Sequence, residues 1–175
     1  MAGNTEKNRK RDIRSFLEKI VVNAGVGRLG QQPNFEEKGL VQIVRDMGLL
    51  AGQKPYVRGA KKSIAGFKVR EGQPVGLAIT LRREKLVDFF ERFITIVLPR
   101  VRDFSGLELT SIDSHGILNV GIREQQVFPE ITPEQSPISF SLGVNIVPKR
   151  RDRKKAIETY RALGVPLKVE GVKRS

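Results

Sequence analysis

The chain has 175 residues, 32 Lys+Arg against 19 Asp+Glu, a formal net charge of +13 and no cysteine. A surplus of that size repels itself unless a polyanion is near, with nucleic acid the usual answer and an anionic membrane the second. The lack of cysteine excludes disulfides, thiolate zinc sites and cysteine nucleophiles and fits an intracellular setting, and no apolar run approaches membrane-spanning length.

In chain order, residues 1–14, "MAGNTEKNRKRDIR", read as a basic tail, disordered or RNA-contacting, with a short helix at "IRSFLEK". They lack the apolar stretch of a signal peptide. A single domain is expected over residues 15–166, with a polar C-terminal tail at 167–175. Residues 19–24 read as a strand, with Ile20, Val22 and Ala24 on one face and Val21 and Asn23 on the other. Asn34 reads as an N-cap for a helix over 35–51, whose stripe is Leu40, Ile43, Val44, Met47 and Leu50. "KPYV" opens a short strand, and Gly59, Gly66, Gly72 and Pro74 punctuate an exposed loop or loose hairpin after it. "VGLAITLRR", 75–83, is a strand. "EKLVDFFERFITIVLP" is an amphipathic helix over 84–98 that stops before Pro99. Strands follow near 117–123 and 138–147, and a last helix over about 151–163 ends at Gly164 with Pro166 beyond. Several strands follow one another with no helix between, which predicts α+β: two layers, with helices on one face of a curved, mostly antiparallel sheet.

"NAGVGRLG" holds Gly25, Gly27 and Gly30 in the spacing G-x-G-x-x-G. A dinucleotide turn also needs its third glycine in a helix start and an acid about 20 residues on, at the end of a second strand. Here Gly30 is followed by "QQP", and Asp46 sits inside the apolar helix. Both demands fail, so no cofactor is expected. The bland role for Gly25 and Gly27 is positive φ or close backbone approach at a strand end.

Positive charge gathers in the tail, in 54–70 (Lys54, Arg58, Lys61, Lys62, Lys68 and Arg70, with no acid) and in "KRRDRKK", 149–155. The last run opens a helix, where cations oppose the macrodipole, so an external anion is a natural partner. Small residues in "GAKKSIAGFKVR" let backbone approach phosphate closely, and Ile64, Phe67 and Val69 suggest a loop that packs on something. Trp is absent and Tyr numbers 2, too few aromatics for a single-strand stacking platform. Shape recognition of folded RNA fits better, with Asn23 and Thr80 as polar residues set into strands. His115 has no second His or Cys to complete a site and reads as a turn residue; nothing pairs a nucleophile with a base, so the chain is not expected to be an enzyme.

In this order the segments resemble the universal large-subunit ribosomal protein family that binds 5S rRNA, number five of that subunit, in its bacterial form. "KIVVNAGVG", "GQKPYVRGAKKSIAGFKVREGQPVG", "ITLRREKLVDFFERFITIVLPRVRDFSGL" and "NVGIREQQVFPEI" carry the resemblance from residue 19 to 131, and "RALGVP" adds to it. The resemblance implies a cytoplasmic, ribosome-bound protein that anchors 5S rRNA in the central protuberance, beside 23S rRNA and neighbouring ribosomal proteins. By motif position the 5S rRNA contacts fall on Asn23, Gln53 and Thr80, with Gly25, Gly27, Lys54 and Arg82 beside them. The P-site tRNA contact falls on Lys61, Lys62, Ser63, Lys68 and Arg70. Loops at "RDFSGL" and after "FPEI" lie where the family meets a small-subunit head protein. The chain departs from the family in its N-terminal residues, in "TPEQSPISF" (132–140) and in the basic opening of the last helix. There Arg150, Arg151, Lys154 and Lys155 suggest an additional RNA contact. The alternative function is a stand-alone RNA-binding or chaperone protein outside the ribosome.

Overall fold

A computed structural model of the protein describes residues 2–67 and 69–168. The strands are β1 (Leu17–Gly25), β2 (Tyr56–Gly59), β3 (Pro74–Leu81), β4 (Leu118–Ile122) and β5 (Leu142–Pro148). They form one open antiparallel sheet in the order β2-β3-β1-β5-β4. The class is two-layer α+β, as the strand pattern predicts. Contacts divide the described chain into two compact units, one of residues 2–20, 81–120 and 145–168, the other of 21–80 and 121–144.

In the first unit, α1 (Ala2–Phe16) replaces most of the basic tail read from sequence. It is fastened by its own residues: Ile13 is fully buried, Arg9 donates to the Leu163 carbonyl at 3.3 Å, and Lys10 lies 3.8 Å from Glu91. "IRSFLEK" therefore divides, its first four residues ending α1 and Leu17 opening β1. In α3 (Arg83–Arg92) and the π turn that follows (Phe93–Val97), Leu86, Phe89, Phe90, Phe93, Ile94 and Val97 are all buried, the apolar face of the amphipathic helix expected over this stretch. Each such side chain contributes roughly 1.5–3 kcal/mol of burial. The helix does not stop before Pro99, as the proline suggests; it continues as α4 (Leu98–Arg100). The Leu98 N–H bonds to Phe93, five residues back. Such a widened turn is one way a helix runs past a residue with no N–H of its own.

The last helix, α5 (Arg153–Ala162), stops where the sequence predicts. Gly164 takes φ 83°, and the Val165 N–H closes on the Tyr160 carbonyl at 2.9 Å. Tyr160 is the unit's buried polar anchor. Its hydroxyl reaches the carbonyls of Gly116 and Ile146 at 3.0 and 3.1 Å, and Phe16 meets its ring edge-on at 5.1 Å. Burial pushes its phenol well above the ordinary value of 10.0. The folded chain thus keeps this proton after the unfolded chain has lost it. The stability is present below pH 10 and is lost as the pH rises further.

In the second unit, β1 and β3 alternate as expected: Val22, Ala24, Leu77 and Ile79 are buried, while Asn23, Ala78 and Thr80 are half-buried. The helix over 35–51 begins as a π turn (Phe35–Gly39) and continues as α2 (Leu40–Ala51). Asn34 does not cap it by its side chain; it sits at φ 58° and turns the chain into the helix. Ile43, Met47 and Leu50 are buried, but Leu40 and Val44 are only half-buried. Their expected share of the interior goes to Asp46, which is 1% exposed.

Asp46 belongs to a buried polar knot. Ser136 and Gln125 are each 0% exposed. The Ser136 hydroxyl donates to Asp46, and Gln125 Nε2 reaches Ser136 Oγ at 3.0 Å and the Ile138 carbonyl at 2.9 Å. Gln125 Oε1 accepts from the Phe140 N–H at 2.9 Å, and Gln42 Nε2 reaches Ser136 Oγ at 2.8 Å and the Ile138 carbonyl at 3.0 Å. Arg45 ties Asp46 to the Gln135 carbonyl. Two glutamines thus serve the backbone of 136–140 as a neighbouring strand would. Leaving any one of these groups unpaired costs about 1–3 kcal/mol. The knot fastens "TPEQSPISF", residues 132–140.

Candidate nucleic-acid interface

Period two and the β2–β3 register define one exposed strand surface in the second unit. Tyr56 pairs with Ala78 and Arg58 with Gly76, so both side chains share the side of Ala78 and Thr80. Asn23 and Gly25 alternate with buried Val22 and Ala24 on β1. The structure brings Gln53 and Thr80 together, with Gln53 Nε2 donating to the Thr80 carbonyl at 3.4 Å. Lys54 next to it is exposed. Asn23 lies against Gly143: a Cβ there would come within 2.6 Å of the Asn23 side-chain oxygen. Gly143 is thus the space into which the Asn23 amide fits, a role invisible from either residue alone. Arg82 belongs to the first unit, where it is the exposed, extended N-cap of α3.

Gly25 and Gly27 are not what the strand end requires. Neither has positive φ, and a Cβ at either would meet nothing within 4 Å. The expected conformational role is therefore corrected: the chain's own packing makes no demand for glycine at these positions. Gly30, which completes the motif spacing, packs against Gln73 instead, whose Nε2 donates to the Gly30 carbonyl at 3.2 Å.

The basic loop is a built hairpin rather than a loose one. Ala60 and Gly72 exchange bonds with Gln73 and Ala60 carbonyls, each at 2.9 Å. Gly59 lets the two arms close, since a Cβ there would lie 2.9 Å from the Gly72 carbonyl. Above that base, Ile64 and Val69 bond to each other around the turn Ala65–Phe67. Ser63 Oγ accepts from the Glu71 N–H at 2.9 Å, and Gln73 Oε1 accepts from the Arg70 N–H at 3.0 Å. Gln73 thus fastens the loop at both its carbonyl and amide ends, and sequence reading passed it over. Lys61, Lys62, Ser63 and Arg70 are exposed; Lys68 lies outside the described residues. Ile64, expected to pack, is 51% exposed at the tip.

At the start of α5, Arg150, Arg151, Lys154 and Lys155 are exposed as expected. The opposition to the helix dipole is smaller than the run suggests. Asp152 accepts from the N–H groups of Lys154 and Lys155 at 3.1 and 3.2 Å, a full N-cap. Arg153 turns inward and donates to the Leu109 and Ile112 carbonyls at 3.0 and 3.1 Å. His115 stands exposed in a turn, its N–H on Asp113 Oδ1 at 2.8 Å. Among the described residues no group of His, Asp or Glu side chains could hold a metal ion, and no helix is long and apolar enough to cross a membrane.

The site therefore belongs to a basic α+β binding protein with half-buried amides beside exposed cationic side chains. Comparison with known proteins agrees. Residues 10–70 match the family model for ribosomal protein L5, and residues 74–167 match the model for the C-terminus of the same ribosomal family. The chain is 45% identical over 152 residues to large ribosomal subunit protein uL5 of Chlorobaculum tepidum, covering 87% of this chain and 81% of that one. It is likewise 45% identical to uL5 of Rubrobacter xylanophilus (87% and 82%) and 41% identical to uL5 of Fusobacterium nucleatum (87% and 81%). The chain belongs to the ribosomal protein L5 family, a family of structural, non-enzymatic proteins.

Proposed function

We propose that the chain is a structural constituent of the large ribosomal subunit that holds 5S rRNA on the exposed strand surface of the second unit. The observation that carries this reading is the amide surface itself: Asn23 seated over Gly143, and Gln53 bonded to Thr80. Fixed amides and hydroxyls read one RNA shape, while Lys54 neutralises phosphate beside them; on the first unit, Arg82 offers an RNA phosphate contact of its own. The hairpin at Lys61, Lys62, Ser63 and Arg70 reaches P-site tRNA, its cations carried on a fixed base. Loops around "RDFSGL" and after "FPEI" face a small-subunit head protein. Neighbouring proteins and 23S rRNA complete the cytoplasmic, ribosome-bound setting in the central protuberance. Exposed Arg150, Arg151, Lys154 and Lys155 add an RNA contact at the start of α5.

Footprinting on isolated 5S rRNA tests the assignment. Asn23→Ala or Thr80→Ala weakens binding by about 1–3 kcal/mol with little change in salt slope. Lys61→Ala leaves 5S rRNA binding nearly untouched. An equal loss in both would overturn the separation into two RNA surfaces.

A further inference from the structure

Two hollows meet at Asn23 and Gly25, both within the second unit. One is walled by Arg58 over Gly76 and Ala78, the other by Arg123 over Gly121 and Gly143. No carboxylate lines either hollow. Both arginines are exposed, and neither guanidinium has a hydrogen-bond or ion-pair partner among the described residues. Arg58 stands on β2 and Arg123 directly follows β4, the two edges of the sheet, with Asn23 on the central strand. Four strand spacings separate those edges, about 19 Å. A chain of phosphates spans that width, with its sugars over the small residues of the floor.

We propose that Arg58 and Arg123 hold a single sugar–phosphate strand across this surface, one arginine at each edge and the Asn23 amide between them. The occupant is RNA backbone, because two unneutralised guanidiniums without a carboxylate between them complement a repeating anion. Arg58 and Arg123 set the position of the strand, and Asn23 and Thr80 read it. This proposal rests on the reading that the same surface binds 5S rRNA.

The test is binding of the full chain to a 5S rRNA transcript over a range of salt. Arg58→Ala and Arg123→Ala should each weaken binding about tenfold and lower the slope of log K against log salt by about 1, and the double variant by about 2. Lys38→Ala, an exposed cation away from both hollows, should leave the slope unchanged. Gly121→Val tests the floor: a Cβ there meets nothing within 4 Å of its own chain, so the fold is kept while the strand is pushed off. The expected result is a several-fold loss with circular dichroism and melting as in the parent chain. If Asn23→Ala and Thr80→Ala weaken binding but the arginine variants keep affinity and slope, the two-arginine hold is wrong and the 5S rRNA reading stands. If none of the four weakens binding, the 5S rRNA reading falls and takes this proposal with it.

Discussion

Two basic runs look alike in the sequence and differ in the folded chain. In the hairpin over 54–73, Lys54, Arg58, Lys61, Lys62 and Arg70 have side chains with no partner among the described residues, and backbone bonds and Gln73 hold the loop. In "KRRDRKK" the chain uses several of the charges itself. Asp152 caps α5, Arg153 serves two carbonyls, and Lys149 donates to the Arg14 carbonyl at 2.7 Å. A count of cations cannot tell these cases apart. What separates them is whether a backbone acceptor or a carboxylate lies within reach.

Substitution should expose that difference. The largest effect on folding is expected from Arg153→Ala, which leaves the Leu109 and Ile112 carbonyls without their donor. About 1–3 kcal/mol of stability should be lost, read from the urea midpoint. A midpoint equal to that of the parent chain would mean that this run is as free as the hairpin. Asp152→Ala comes next, at about 0.5–2 kcal/mol, through the lost cap. Its ion pair with largely exposed Lys155 adds little to that figure. The smallest effect on folding belongs to the double variant Lys61→Ala, Lys62→Ala, expected within about 0.5 kcal/mol of the parent chain. The same variant should weaken retention of P-site tRNA on reconstituted ribosomes most strongly at low salt, the deficit shrinking as salt rises. A stability loss comparable to that of Arg153→Ala would place these lysines in the fold and not in an interface.

Much of the architecture was legible because it rests on local rules. Alternation in β1 and β3, the apolar stripe of α3 and the Gly164 stop need no knowledge of distant residues. The missed features depend on partners far along the chain. Asp46 reads as a blemish in an apolar helix until Ser136 is brought against it, 90 residues away. α1 reads as a tail until Arg9 finds Leu163, 154 residues on. The site divides along the same line. Asn23 and Thr80 stand out as polar residues in apolar strands, and the family resemblance marks them too. Gly143 and Gln73 are ordinary in sequence, and only packing gives them a role. Gly25 and Gly27 drew notice for a motif the chain does not use, and the structure leaves the space above them open.

The knot around Asp46 has a consequence for biosynthesis. Gln42, Arg45 and Asp46 leave the ribosome long before Gln125 and Ser136, and the segments of the two units interleave along the chain. The second unit cannot close its polar interior until about residue 144 has been made, and the first cannot bury Tyr160 until α5 has followed. Closing such loops late is slow, since the entropy of a long loop must be met before its contacts form. Until then the interior of each unit stays open on a chain with a large excess of positive charge. Fastening by residues 125–140 completes the second unit, and α5 then completes the first.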